Sequence, residues 1–314
     1  MSTDDLRARA LRYIALRQAY GYQGRPSDRL LLDFVAFAES RGQSNSASAQ
    51  LAVDWACHPG SRSRNRARRL SVVRGFLTHV RASQPQAEVP AAGLLHAARR
   101  PVPHILSDAE ITSLLRGARS LGPSGSLRPH TYTTLIGLLV SCGLRISEAV
   151  SLRDDDADLD STPPLLRIRE SKFHKSRLVV LHPTVATALR QYTADRHRLG
   201  YDCVGDSFFV SEKPGPLSAP SARRTFTEIA RRAGIRPPTG PGPHLHDLRH
   251  TFAVRRMMQW YRDGIDVHAR LPELSVYLGH VRPADTYWYL TATPQFLAMA
   301  AQRFERFAGL AGES

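Results

Sequence analysis

Cysteine is scarce in this chain: Cys57, Cys142 and Cys203 are the only three, and no two stand in a CxxC spacing. A disulfide framework needs a paired, clustered set and a structural zinc site needs close pairs. Neither is the device that holds this fold, and reduced thiols of a cytosolic protein are the expectation. Long apolar runs are missing too. The longest, around Thr134 to Val140, falls well short of the ~20 residues that a membrane-spanning helix needs. The opening Met1-Ser2-Thr3-Asp4-Asp5 is acidic and lacks the basic start and apolar run of a signal peptide, so the expected location is the cytoplasm. Negative charge is also in short supply: 28 Asp+Glu stand against 43 Lys+Arg, a formal balance of +15. Such an excess, mostly arginine, fits a polyanion whose phosphates accept planar, two-pronged hydrogen bonds, with an affinity that falls as salt rises. An arginine-rich proteome would give the same balance, so charge alone does not decide.

At 314 residues the chain is long enough for two domains, each with its own core. Residues 6–82 read as all-helical: Leu30, Leu31, Phe34, Val35 and Phe37 recur at helical spacing, as do Leu51, Val53, Trp55 and Ala56. A basic run holding Arg62, Arg64, Arg66, Arg68 and Arg69 leads into Leu70, Val72, Val73, Phe76, Leu77 and Val80. It reads as the basic lip of a helix whose other face is buried. These five arginines are candidates for gripping backbone phosphates, although a solvated charged face explains any one of them equally well. Pro85, Pro90, Pro101 and Pro103 then mark extended backbone. The expected division is a helical domain at 1–98, a linker to about 103, and a second domain at 104–314.

The second domain opens on Ser107-Asp108-Ala109-Glu110, the Ser-x-x-Glu form of a capping box. Tyr132 to Val140 reads as a buried helix. Leu165–Arg169 and Arg177–Leu181 read as two strands around a short turn, with Phe208–Val210 as a third. Residues 218–233 read as a helix with Gly234 at its left-handed cap, and helices follow near 246–260, 272–278 and 284–290. The expected fold class is mainly α with a small antiparallel β-sheet: a helical N-terminal domain followed by an α+β domain.

Five features of this second domain carry chemistry. Arg145 follows Cys142-Gly143-Leu144 at a helix junction, and Glu148, three residues on, lies on the same face and can orient it. His246 and Arg249 share one face just after the Pro241-Gly242-Pro243 break, near a helix N-terminus that favours an anion. His250 lies one step round and reads as a core residue. Leu278-Gly279-His280 ends a helix with glycine and puts a histidine on the next turn. Beyond it stands Tyr287-Trp288-Tyr289, of which composition selects neither tyrosine. Lys172 and Lys175 sit in the turn between the first two strands. Taken singly, each signal is as well explained by a surface ion pair, a core aromatic or a solvated hairpin tip.

Their order and spacing are more specific. The series Gly-Leu-Arg-x-Ser-Glu, strand–Lys–strand, His-x-Leu-Arg-His, Leu-Gly-His and a tyrosine nine residues later resembles the tyrosine recombinase (phage integrase) family. The likeness covers roughly 105–314 by motif and 1–98 by domain pattern. It implies a helical DNA-clamping domain, a catalytic domain, and a catalytic set of Arg145, Lys172, His246, Arg249, His280 and the nucleophile Tyr289, supported by Glu148. The family's spacing selects Tyr289 over Tyr287. Family members often flank the hairpin lysine with glycine, whereas here the run is Ser171-Lys172-Phe173-His174-Lys175. That leaves Lys172 or Lys175 as the acid, with Lys172 preferred.

The implied chemistry has His246 as base, His280 as a donor to phosphate, two arginines as a clamp and Lys172 as acid, through a 3′-phosphotyrosyl link. It requires no cofactor, neither ATP nor metal. The implied partner is double-stranded DNA. Phe296, Ala300, Phe304 and Phe307 form a stripe on a terminal helix, about 294–311, that in the family docks on a neighbouring protomer. A homo-oligomer on DNA, a tetramer, is the expectation. Tyr287 to Thr291 also resembles transposon-borne members that work in sets with related recombinases. Two rival readings share these residues: a type IB topoisomerase, which reseals the same strand, and a DNA-binding accessory subunit with a silent site.

Overall fold

Several helices of this protein start on capping side chains that its sequence provides. In the computed structural model, described for residues 5–22, 25–45, 48–59, 63–96, 102–171, 175–201, 205–212, 215–237, 239, 242–280, 282, 284–292 and 301, Asp5 accepts the Ala8 N–H at 2.7 Å and opens α1 (Leu6–Ala19). Ser48 accepts the Leu51 N–H at 3.1 Å and opens α3 (Ala49–Cys57). Between and after them lie α2 (Arg25–Ser40) and α4 (Ser63–Ser83). Each cap satisfies a backbone donor that the first helical turn leaves unpaired. These helices bury one core: Ala10 and Ile14, Phe34 and Val35, Trp55, and Phe76 with Leu77. The expected buried stripe of α4 is there. The chain divides into two compact units, Met1–Pro101 and Val102–Ser314.

In the second unit Ser107 and Glu110 form the reciprocal capping box that opens α5 (Asp108–Arg119). Then come α6 (Arg128–Cys142), the short α7 (Ile146–Val150), α8 (Pro183–Arg198), α9 (Ala219–Arg232), α10 (Leu245–Arg262), α11 (Val267–Leu278) and α12 (Ala284–Ala292). Helix α6 is the hub: α5, α8 and α10 all pack against it, and seven of its residues are buried. Three antiparallel strands lie in the order β1-β2-β3: β1 (Ala157–Asp158), β2 (Leu165–Ser171) and β3 (Lys175–Val180). Leu166, Ile168 and Val179 point into the core, while Leu178 and Val180 face outward, the period-2 alternation of a half-buried sheet. The fold is thus mainly α with a small antiparallel sheet. Cys57 and Cys142 are free thiols; Cys203 lies outside the described residues.

Three expectations need correction. Phe208–Val210 is no strand: Ser207 and Val210 make only isolated bridges, to Arg153 and Pro216, and the third strand is Ala157–Asp158. The reason is burial of both faces. Phe208 and Phe209 are each at most 1% exposed and both rings pack on Tyr192, so the segment plugs the core instead of alternating. Helix α11 begins at Val267, well before 272, because Asp266 caps it and Pro272 is accommodated inside. Helix α8 has no counterpart among the expected elements; it opens on His182 with Pro183 in its first turn.

Gly143 closes α6 at φ 61°, a left-handed backbone where side chains are disfavoured, and a Cβ there would stand 2.5 Å from Phe252 Cδ1. Gly143→Ala is therefore expected to cost about 1–3 kcal/mol. Denaturant unfolding of the two proteins should show the midpoint fall with little change in slope.

Candidate active site

The site is built on two helix ends that each stop on a left-handed glycine. Helix α6 ends on Gly143 at φ 61° and α11 ends on Gly279 at φ 66°. The Gly279 and His280 N–H groups turn back onto Val276 and Ser275 carbonyls at 2.9 Å, the two-bond closure of a glycine-capped helix. Such an end leaves carbonyls facing outward and carries partial negative charge. Two arginines use them. Arg249, from α10, donates through Nη1 to the Gly143 carbonyl at 2.7 Å and through Nη2 to the Leu278 carbonyl at 2.6 Å. Arg145, which precedes α7, donates through Nη2 to the Gly279 carbonyl at 2.6 Å. The Gly-Leu-Arg and Leu-Gly-His segments are thereby tied to each other and to α10.

Glu148 holds this arrangement from below. Its carboxylate accepts the Arg145 backbone N–H at 2.9 Å and Arg145 Nη1 at 2.7 Å. It also accepts both terminal nitrogens of Arg177, at 3.1 and 2.9 Å. Arg177 in turn donates through Nε to the Tyr277 carbonyl at 2.7 Å. Sequence reasoning misses Arg177, whose signal is faint: it stands in β3 on the same face as buried Val179, where an inward arginine needs a partner. Two guanidiniums thus share one carboxylate. Burial opposes ionisation of Glu148, but Arg177 and then Arg145 outweigh it, and its pKa lies below the usual carboxylate value. Burial, followed by the neighbouring charge of Arg145, lowers the Arg249 guanidinium to about 10. Arg249 is only 1% exposed, and its buried Nε has no hydrogen-bond partner among the described residues.

The aromatic side of the site comes from α10 and α12. Tyr289 is 1% exposed and Tyr287 is 42% exposed, so α12 turns the former inward and the latter out. Tyr289 Oη and His250 Nδ1 share a hydrogen bond of 2.8 Å. The His280 ring lies parallel to that of Tyr289 with centroids 6.4 Å apart. His280 is oriented by Thr286, which is fully buried and meets Nδ1 at 2.7 Å. His246 stands exposed in the first turn of α10, its ring edge-on to His250 at 4.4 Å. His250 does pack in the core, as its place on the helix suggests, but it also touches the tyrosine oxygen. Neither His250 nor Thr286 has a sequence signal beyond its spacing.

Of the named candidates, then, Arg145, Glu148, Arg249, His280 and Tyr289 come together, with His246 beside His250. Lys172 lies outside the described residues, and so does the side chain of Lys175, although its backbone opens β3. In the N-terminal unit Arg62 is outside the described residues and Arg64 is described only as backbone of α4; Arg66 and Arg68 are exposed. Arg69 departs from the expected surface role. Its guanidinium lies 4.0 Å from the Trp55 ring centre and 3.6 Å from Asp33, so it serves the core of its own unit.

The family model of the phage integrase family matches residues 105–295. A Sinorhizobium fredii protein provisionally named integrase/recombinase y4rB is 37% identical over 301 residues, covering 94% of this chain and 95% of that one. Tyrosine recombinase XerD of Mycobacterium tuberculosis is 34% identical over 233 residues, 72% of this chain and 69% of its own. Among solved structures, the Tn1549 transposon integrase in complex with transposon right end DNA superposes with a TM-score of 0.68 at 17% identity, covering 96% of this chain and 99% of that one. XerH site-specific recombinase bound to a palindromic difH substrate gives 0.67 at 19% identity, over 88% of this chain and 78% of that one; at such identities the likeness is one of fold. The chain belongs to the phage integrase family, the tyrosine recombinases, enzymes that cleave and rejoin DNA in site-specific recombination.

Removing Glu148 leaves two guanidiniums facing each other with no counter-charge. Glu148→Ala is expected to cost about 3 kcal/mol or more, the usual range for breaking a buried ion pair. Because its pKa is lowered in the folded state, its contribution is complete above the unfolded value of ~4.3 and is lost as pH falls through the lower folded value. Unfolding curves of parent and variant should converge in acid.

Proposed function

We propose that this chain cleaves DNA with Tyr289 as nucleophile while Arg145 and Arg249 hold the non-bridging oxygens of the scissile phosphate. The observation that carries this reading is the gathering of Arg145, Arg249, His280 and Tyr289 around the ends of α6 and α11, with the buried Nε of Arg249 lacking an acceptor among the described residues. A buried donor left without an acceptor costs about 1–3 kcal/mol, and a phosphate oxygen is the acceptor that a guanidinium edge fits best. In the first step the Tyr289 oxygen bonds to phosphorus as the bond to the 5′ oxygen breaks. His246 takes the phenol proton, Lys172 supplies one to the departing 5′ oxygen, and His280 donates to a phosphate oxygen. A phenol of reference pKa ~10 needs such help at neutral pH. Attack by a 5′-hydroxyl from another strand reverses the step and joins DNA in a new arrangement. The arginines act by facing the charge that redistributes around phosphorus.

The N-terminal unit is proposed to clamp the duplex, with exposed Arg66 and Arg68 gripping its phosphates. The relatives named for integration and for a transposon point to integration, excision or transposition of a mobile element. Duplex DNA in the cytoplasm is the proposed substrate. A related lambda integrase was solved as a tetramer on a Holliday junction, and a tetramer of this chain, alone or with related recombinases, is the proposed working form. The helix about 294–311, proposed to dock in trans, lies outside the described residues.

A pool of nicked duplexes of randomised sequence, from which protein–DNA adducts are captured, tests the reading. The expected adduct sits on Tyr289 and is absent from Tyr289→Phe; an adduct on another residue overturns the assignment. Arg145→Ala and Arg249→Ala should each slow adduct formation by about 10²–10³-fold. Relaxation of supercoils by monomers without exchange between sites would favour the topoisomerase reading instead. Changing Arg66 or Arg68 to alanine should make the log–log salt dependence of DNA binding shallower by about one unit for each phosphate no longer neutralised.

A further inference from the structure

Arg249 and His250 are consecutive residues of α10, and they hold different partners. The guanidinium of Arg249 is fixed on the carbonyls of Gly143 and Leu278. The imidazole of His250 is fixed on the oxygen of Tyr289 at 2.8 Å. Both side chains are buried, at 1% and 6% exposure. His250 is held from two further directions: the His246 ring stands edge-on at 4.4 Å and the Trp288 ring lies at 5.8 Å. Its hydrogen-bonding atom therefore has little freedom. One rigid helical turn sets the separation between the group proposed to hold the phosphate and the atom proposed to attack it.

We propose that His250 is a positioning residue that holds the Tyr289 hydroxyl in place for attack on the phosphate bound at Arg249. This rests on the reading of Tyr289 as nucleophile and adds a residue to it. A phenol on the short helix α12 has its own rotamer freedom; the bond to His250 removes that freedom before DNA arrives. Misplacing a reacting atom by about 1 Å can cost ~10²-fold in rate, so loss of this bond should be felt in cleavage. It should not be felt in joining. There a 5′-hydroxyl attacks a phosphate already bonded to a tyrosine, the phosphorus–tyrosine bond breaks, and placement of a free phenol is not needed.

The experiment separates these half-reactions on a duplex recovered from the randomised pool. Cleavage is followed on the nicked duplex. Joining is followed on the covalent Tyr289–DNA adduct, accumulated on the nicked duplex to the same yield for each protein and then given a strand with a free 5′-hydroxyl, so that the bond broken is the one to Tyr289 itself. His250→Leu is expected to slow cleavage by about 10²-fold and to change joining by less than about threefold, which also shows that the variant is folded. His250→Asn, whose amide falls near the position of Nδ1, is expected to recover most of the cleavage rate. If the leucine variant fails in both reactions, His250→Gln takes its place, with the amide displaced from that position; it should join but cleave poorly. A parallel loss of joining in every variant overturns the proposal, because the role would then be structural. An asparagine variant no better than leucine, or a leucine variant that cleaves like the parent, overturns it as well. Tyr289→Phe is run beside them. If it still forms adduct, the nucleophile reading itself has failed; if it forms none while His250→Leu cleaves normally, only the role of His250 has.

Discussion

Two helix ends, each closed by a glycine in the left-handed conformation, are what the site depends on. A helix that stops on such a residue satisfies some of its last carbonyls through the turn itself and leaves the final ones facing outward. In most proteins water or a neighbouring N–H takes them. Here guanidiniums take them: Arg249 spans the ends of α6 and α11, and Arg145 reaches from beside α6 to the end of α11. The geometry of the cations is therefore set by backbone, which moves less than side chains do. Gly279 is constrained on both counts, since a Cβ there would stand 2.8 Å from Arg177 Nη1 and 3.3 Å from Arg145 Nη1. The glycines of the two motifs are thus structural causes of the arginine positions.

What the sequence made legible was local. The Ser107 capping box, the turn at Gly143, the three-residue step from Arg145 to Glu148 and the start of α10 all rest on interactions within one helical turn, whose rules are short-ranged. The periodicity of α4 exposed its buried stripe for the same reason. What stayed hidden was the pairing of residues far apart in the chain. Arg177 meets Glu148 across 29 positions and His250 meets Tyr289 across 39. No spacing rule covers such contacts, because the fold between them sets the distance. Arg69 shows the converse error. In a run of arginines it looks like its neighbours, yet one helical step turns it onto Trp55. The choice between Tyr287 and Tyr289 fell between these cases: composition was silent, and the motif spacing selected the tyrosine that α12 turns inward.

Family membership and local geometry carry different parts of the functional account. The family assigns the reaction, DNA cleavage and rejoining. It does not say how this chain supports its arginines or its tyrosine. Those supports are Glu148 with Arg177 on one side, and His250 with Thr286 on the other. They form two braces that meet at α10 and the end of α11. A change in either brace should therefore alter the site without touching any group proposed to meet DNA.

The electrostatics fit the proposed binding of a phosphodiester. Three buried or half-buried guanidiniums against one carboxylate leave uncompensated positive charge, and burial with the charge of Arg145 lowers Arg249 to about 10. An Nε donor without an acceptor among the described residues adds a desolvation cost. Both costs have the same remedy. An anion with oxygens set for a guanidinium edge removes the charge imbalance and accepts the orphan hydrogen bond at once. A neutral ligand would relieve only the second, and a simple cation neither. Part of the free energy of binding the proposed phosphate is thus stored in the cluster as repulsion, and the carboxylate of Glu148 limits that repulsion to what the fold can tolerate. A second acidic residue beside Arg249 would relieve the repulsion permanently and so remove the reason for phosphate to bind.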